Sequence, residues 1–144
     1  MDKYELDTPV AIVDLDIMEK NIHDMAEFAR NIGVQLRPHI KTHKVPEITS
    51  LQLEAGASGI TCAKLGEAEV MLDTIAVDDI FIANQLVGEH KLQRLFKLLG
   101  SILVSRLSVA IDSVEVAQAI SEMAIQKRTK VPVLIKIDVG LKRT

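Results

Sequence analysis

Leu36–Lys44 reads LRPHIKTHK. It lies in a run, Val34–Thr42, with the apolar and β-branched character of a strand. Yet five of its nine residues, Arg37, His39, Lys41, His43 and Lys44, are basic or can become so, in a chain of net charge −3. Strand alternation sorts the run into two faces. Val34, Leu36, Pro38, Ile40 and Thr42 form one; Gln35, Arg37, His39, Lys41 and His43 form the other. The apolar set suits packing under helices, which turns the polar set toward a barrel interior or a crevice. Burying Arg, His and Lys together is costly unless they meet anions or lose protons. An edge strand with one wet face is the alternative, and Pro38 favours it, because proline avoids central strands.

The inward arrangement has a chemical consequence. Loss of water and cationic neighbours both disfavour an ammonium ion, and a neutral lysine amine attacks carbonyls. The same cluster attracts a carboxylate or a phosphate. A carbonyl-trapping lysine beside an anion-binding surface is what a pyridoxal 5'-phosphate site requires.

Outside this segment the chain has a rhythm. Apolar, β-branched runs occur at Pro9–Leu15, Val34–Thr42, Gly59–Leu65, Asp79–Asn84, Leu107–Asp112 and Val131–Val139, and from the second onward they begin roughly 20 to 30 residues apart. Helical patterns fill the intervals. Asp16 and Glu19 form a capping-box pattern, and Met18, Ile22, Met25, Ala29 and Ile32 follow as one apolar stripe, with Gly33 as the stop. Pro46 suits the first turn of the next helix. GEAEVMLDTIA opens at Gly66 with acidic residues that favour a helix N-terminus. EHKLQRLFKLLG carries Leu92, Leu95, Phe96 and Leu99 on one face, and SVEVAQAISEMAIQKR is capped by Ser113 or Asp112.

Repeated βα units predict a parallel sheet covered by helices. The sheet is either open and doubly wound or part of a (β/α)₈ barrel. A complete barrel takes about 250 residues, so on the barrel reading the 144 residues here make only part of one. About five strands follow the leading one, and the sequence stops at DVGLKRT, directly after a strand, as a fragment does. The expected organisation is one domain over 1–144, with a leading strand and first helix in 1–33 and βα units in 34–144.

Bulk properties narrow the function. Hydrophobic residues make up 48 % of the chain and aromatic ones 3 %, so the core is aliphatic and disorder is not expected. Mild acidity gives no electrostatic case for nucleic acid or anionic membranes. A single cysteine, Cys62, cannot form an internal disulfide, which fits a reducing cytoplasm; its alternation with Ile60 marks it as a small buried hydrophobe. The polar N-terminus is not a signal peptide, and no apolar run approaches the roughly 18 residues of a membrane helix. Chemistry in α/β folds gathers at the carboxyl ends of strands. Here those ends carry Lys41-Thr42, Lys64, Asn84, Asp112 and Asp138; meeting solvent or capping a helix is the plainer role for each, for Asp112 above all.

RPHIKTHK closely resembles the lysine motif of the D-threonine aldolase and D-serine dehydratase family, fold-type III pyridoxal-phosphate enzymes related to alanine racemase. TPVAIVDLDIMEKNI resembles the family's opening strand and helix, GITCAKLGEAEVM its next strand and turn, and DIFIANQLVG and VPVLIKIDVGLKRT later barrel strands. The resemblance runs in order over essentially the whole chain. It implies the N-terminal portion of an alanine racemase-type barrel, without the second barrel half and the β-rich domain. It also implies a homodimer in the full-length form, a small-molecule D-amino acid substrate, and no nucleic acid or membrane partner. Lys41 is implied to carry pyridoxal 5'-phosphate, with Lys44 the second choice. Lys41 is preferred because it shares the parity of Arg37 and His39. His39, Arg37 and Thr42 are implied neighbours of the cofactor, and Arg143 matches an arginine near cofactor and substrate.

The divalent metal of the aldolases and dehydratases is held near their C-terminus by residues that this sequence lacks. His23, His39, His43 and His90 do not have metal-site spacing with a second ligand type, so no metal is expected on them. The implied activity is a lyase reaction on a D-amino acid, foremost a 3-hydroxy-D-amino acid aldolase giving glycine and an aldehyde. D-serine dehydratase or amino-acid racemase chemistry are alternatives on the same fold. Two readings of other classes stand beside it: a non-catalytic pyridoxal-phosphate-binding protein, and an inactive half-barrel fragment with open sheet edges.

Overall fold

The computed structural model describes residues 2–101 and 104–142. Five helices, α1 (Leu15–Asn31), α2 (Pro46–Glu54), α3 (Leu65–Thr74), α4 (Glu89–Leu99) and α5 (Val114–Gln126), accompany four strands, β1 (Ile60–Cys62), β2 (Asp79–Ile82), β3 (Arg106–Ile111) and β4 (Val133–Ile135). All strand pairs are parallel, and their order in the sheet is β1-β2-β3-β4. Strand order that follows chain order, with no reversal, is barrel winding. A doubly wound sheet reverses direction at a switch point.

Local chemistry accounts for the helix starts. Asp14 caps α1 by accepting from the Ile17 amide at 3.1 Å, so the cap falls two residues before the expected Asp16. Pro46 opens α2, and Ser113, one of the two expected caps, accepts from the Val116 amide at α5. Strand alternation places Ile60, Cys62, Ile80, Ile82, Leu107 and Val109 on one side of the sheet. Each is at most 2 % exposed, and they share a core with Leu65, Ala68 and Met71 of α3, Leu92, Leu95 and Phe96 of α4, and Ile120 of α5. Burying one such side chain contributes about 1.5–3 kcal/mol.

Two expected strands are not formed. Residues 6–14 precede α1 without strand pairing; Ile12 and Val13 instead line an apolar groove of about 810 Å³ beside α1 and α2. In the second run, Val34–Thr42, one bridge remains, His39 opposite Thr61. The Thr61 amide donates to the Pro38 carbonyl at 2.7 Å, and the Ile40 amide donates to the Thr61 carbonyl at 2.9 Å. Pro38 has no N–H to extend the ladder, so the segment tracks the edge of β1 through isolated bonds.

Gly59, just before β1, allows a close crossing. A Cβ there would lie 2.3 Å from the Asp79 carbonyl oxygen, whereas a Cβ on Gly66, in the first turn of α3, would meet nothing closer than the Arg94 side chain at 3.7 Å. Gly59→Ala is expected to destabilise the fold by about 1–3 kcal/mol. Gly66→Ala is expected to be neutral or to stabilise by up to about 1 kcal/mol through helix propensity. Urea unfolding midpoints of the two variants, run side by side, check this pair.

Candidate functional site

The site is built on the end of the segment beside β1. Ile40 is fully buried on the helix side. By alternation its neighbours His39 and Lys41 belong to the opposite, concave side. The chain then turns sharply: the Lys44 amide donates to the Ile40 carbonyl at 2.8 Å, and Lys44 takes a left-handed φ of 54°. Lys41 and Thr42 sit exposed in this turn.

A cavity of about 230 Å³ opens at the same end of the sheet. His39, Lys41, Asn84, Lys136 and Asp138 line it together with apolar residues. Asn84 lies just past β2, and Lys136 and Asp138 just past β4, so the cavity occupies the carboxyl ends of the parallel strands. Lys41, Asn84 and Asp138 were candidates from sequence, and the fold brings them together; Lys64, a fourth, holds the N-cap position of α3 without a side-chain capping bond and lines a neighbouring cleft with Asn84. Asp112 is engaged by the Gln85 side-chain amide. Lys136 escaped the sequence reading. Its signal is the alternation of VLIKIDVG, in which Lys136 and Asp138 fall opposite Ile135, Ile137 and Val139.

Arg37 departs from expectation. Its guanidinium lies 2.6 Å from the Asp79 carboxylate and over the Phe81 ring, 5.9 Å from the centroid. Asp79 is the first residue of β2, so the pair stands at the amino end of the sheet. Three residues lie between Arg37 and Lys41, which stands past them in the turn at the carboxyl end. The anion that compensates Arg37 belongs to the chain itself, and a cofactor contact for Arg37 does not fit this geometry. Lys41 departs too: it is exposed on the open concave side, not enclosed in a dry pocket. Arg143 lies outside the described residues.

His39 receives the Lys41 amide on Nδ1 at 3.4 Å, and His43 receives the Val45 amide on Nδ1 at 3.1 Å. Burial lowers the pKa of His39, and the positive charge of Lys41 adds to the effect, with Glu67 opposing it. Burial also lowers that of His43, whose Nε2 is enclosed without a hydrogen-bond partner among the described residues. Burial, reinforced by Glu67, pushes the Cys62 thiol up to about 12, so it is inert packing. No three His, Cys, Asp or Glu residues among those described are grouped to hold a metal ion, and no described helix is long and apolar enough to cross a membrane.

The histidine shifts set a pH dependence of stability. Between the lowered folded pKa and the ordinary value of about 6.5, the unfolded chain binds more protons than the folded one. Stability is therefore full above that ordinary value and is lost as pH falls through it toward the folded pKa. The urea midpoint is expected to drop between about pH 7.5 and pH 5.5. His43→Asn, which keeps an acceptor for the Val45 amide, should make that drop smaller; an undiminished drop would assign it to other groups.

Comparison with known proteins agrees with this architecture. The chain is 38 % identical over 135 residues to D-threonine aldolase of Arthrobacter sp, covering 94 % of this chain and 35 % of that protein. It is 37 % identical over 133 residues to D-threo-3-hydroxyaspartate dehydratase of Delftia sp. (strain HT23), covering 92 % of this chain and 34 % of the relative. The structure of D-threonine aldolase from Filomicrobium marinum superposes with a TM-score of 0.89 at 37 % identity, over 99 % of this chain and 37 % of that one. The chain thus spans little more than a third of the length of these relatives, and its four-stranded sheet is the N-terminal part of their kind of barrel. The family described as alanine racemase, N-terminal domain, matches residues 13–144, and with the barrel winding and the lysine turn at the strand ends this chain belongs to that family.

Proposed function

We propose that this chain is the cofactor-holding part of a pyridoxal-phosphate-dependent lyase acting on D-amino acids that carry a 3-hydroxyl group, foremost a D-threonine-type aldolase. The observation that carries the proposal is the placement of Lys41. It stands in a turn at the carboxyl ends of parallel strands and shares a cavity with His39, Asn84 and Lys136. The relatives' names point to one substrate chemistry: D-threonine, 3-hydroxy-D-aspartate and D-serine all bear oxygen on the carbon next to Cα.

The donor set fits the cofactor. Lys41 offers an exposed amine for its aldehyde, and Lys136 offers a second cation facing the same space. When bound, the cofactor supplies a conjugated ring that withdraws electrons from the substituents on the substrate Cα. The chain's own residues fix where this happens. His39 places an imidazole of lowered basicity, neutral near neutral pH, on the same cavity wall as the amine. The buried Ile40 anchors the turn from the helix side. Lys136 and Lys41 set two cations against the one carboxylate of Asp138 in the cavity lining, which favours an anionic group. In aldol cleavage the hydroxyl proton leaves, the Cα–Cβ bond breaks, a proton returns to Cα, and D-threonine yields glycine and acetaldehyde. Loss of the α-proton and the hydroxyl from the same class of substrate, followed by hydrolysis of the resulting imine by water, yields a keto acid and ammonia instead.

The test is chemical trapping. After addition of pyridoxal phosphate and reduction with borohydride, mass spectrometry is expected to find the label on Lys41. Equal label on Lys91, Lys97 and Lys127 would overturn the proposal. In the full-length protein, Lys41→Ala should reduce D-threonine turnover by on the order of 10³-fold or more. Release of glycine with aldehyde, against keto acid with ammonia, decides between aldolase and dehydratase.

A further inference from the structure

Glu67 is 6 % exposed, a charged residue within the first turn of α3. Its Oε2 accepts from the Ala63 amide at 2.7 Å, which ties off the end of β1 in the manner of a helix cap. Capping uses one oxygen. The other, Oε1, lies 3.5 Å from Lys44 Nζ, and Lys44 is the residue held at a left-handed φ of 54° at the close of the Ile40–Lys44 turn. An L-residue enters that conformation at a cost, so something must hold it there. The two lysines of the turn therefore have different fates. Lys44 is drawn to α3 and its carboxylate, while Lys41 lines the concave cavity with His39 and Lys136.

We propose that Glu67 is a positioning residue of the cofactor site: by engaging Lys44 it pins the Ile40–Lys44 turn to α3 and so determines that Lys41, not Lys44, is the amine presented to the cavity. This inference rests on the reading of Lys41 as the cofactor lysine. It goes beyond it in naming the group that selects between two lysines three residues apart. Glu67→Gln is the informative variant because the amide oxygen can still accept from Ala63 while the charge that holds Lys44 is gone.

The experiment compares trapping of pyridoxal phosphate in the full chain and its variants, with the label at each lysine quantified by mass spectrometry. The unsubstituted chain is expected to carry label on Lys41 in preference to Lys44. In Glu67→Gln the ratio of Lys44 to Lys41 label should rise roughly two- to fivefold, the range a part-exposed ion pair commands. Lys44→Met, which leaves α3 and its cap untouched, should slow labelling of Lys41 by a similar roughly two- to fivefold factor, and Lys44→Arg should restore it. An unchanged ratio in Glu67→Gln, with Lys41 still preferred in the unsubstituted chain, overturns the role of Glu67 alone. Should Glu67→Gln fail to fold, an unchanged labelling rate in Lys44→Met overturns it equally. Absence of any Lys41 preference in the unsubstituted chain overturns the cofactor reading itself.

Discussion

Every placement in this molecule follows from one row of side chains. Ile40, Ile60, Cys62, Ile80, Ile82, Leu107 and Val109 lie on the helix side of the sheet and are excluded from water almost completely. A strand has only two sides. Once this row is fixed beneath α3, α4 and α5, Lys41 must emerge on the other side, as must His39, Thr61 and Phe81. A slip of one residue in the segment beside β1 would turn Ile40 out and drive two basic residues into an aliphatic core, a rearrangement excluded by the cost of burying unpaired charge. The side of the sheet on which Lys41 emerges is thus a consequence of hydrophobic burial on the opposite face.

The same constraint explains what the sequence made legible. β2, β3, α1, α4 and α5 carry a periodic signal, α2 and α3 are marked by Pro46 and by acidic residues at the start, and each lies within a few residues of its expected bounds. The period-2 pattern of residues 34–42 held only at its end: Ile40 is buried between less buried neighbours, whereas Leu36 to His39 are all half-buried and Val34 and Thr42 are exposed. Periodicity, however, reports which side a residue faces and not whether a ladder forms. Pro38 carries the missing information: without an N–H it cannot donate, and the regular pairing fails around it. Residues 9–13 repeat the lesson, being apolar but without a strand neighbour among the described residues.

The charges were harder to read because compensation is a property of the fold. Arg37 belongs by parity to the group that lines the cavity, yet Asp79, 42 residues away, claims its guanidinium. Nothing local in RPHIKTHK announces that partner. Glu67 and Lys44 are a second such pair. Glu69 and Arg94 are a third, joining α3 to α4 through an Nε bond of 2.8 Å, with the guanidinium holding the Glu69 carboxyl below its usual range. Among the basic residues of the 36–44 segment, these pairs remove Arg37 and Lys44 from consideration as free cations. Burial keeps His39 and His43 neutral more readily than in water. Lys41 is the lysine of this segment that lines the cavity at the strand ends.

Exposure of Lys41 is compatible with this assignment because of where the exposure lies. A lysine among helix-surface charges would be solvated from all sides and indistinguishable from Lys91 or Lys97. Lys41 follows a fully buried residue and looks across a cavity of about 230 Å³ at Lys136 and Asn84. Its water is the water of the concave face. A ligand that fills that face displaces this water and moves the amine toward a lower dielectric, which strengthens every charge interaction in the cavity. Desolvation of the amine then accompanies binding instead of preceding it, and the rim carries mixed charge, with Asp138 lining the same cavity as Lys41 and Lys136.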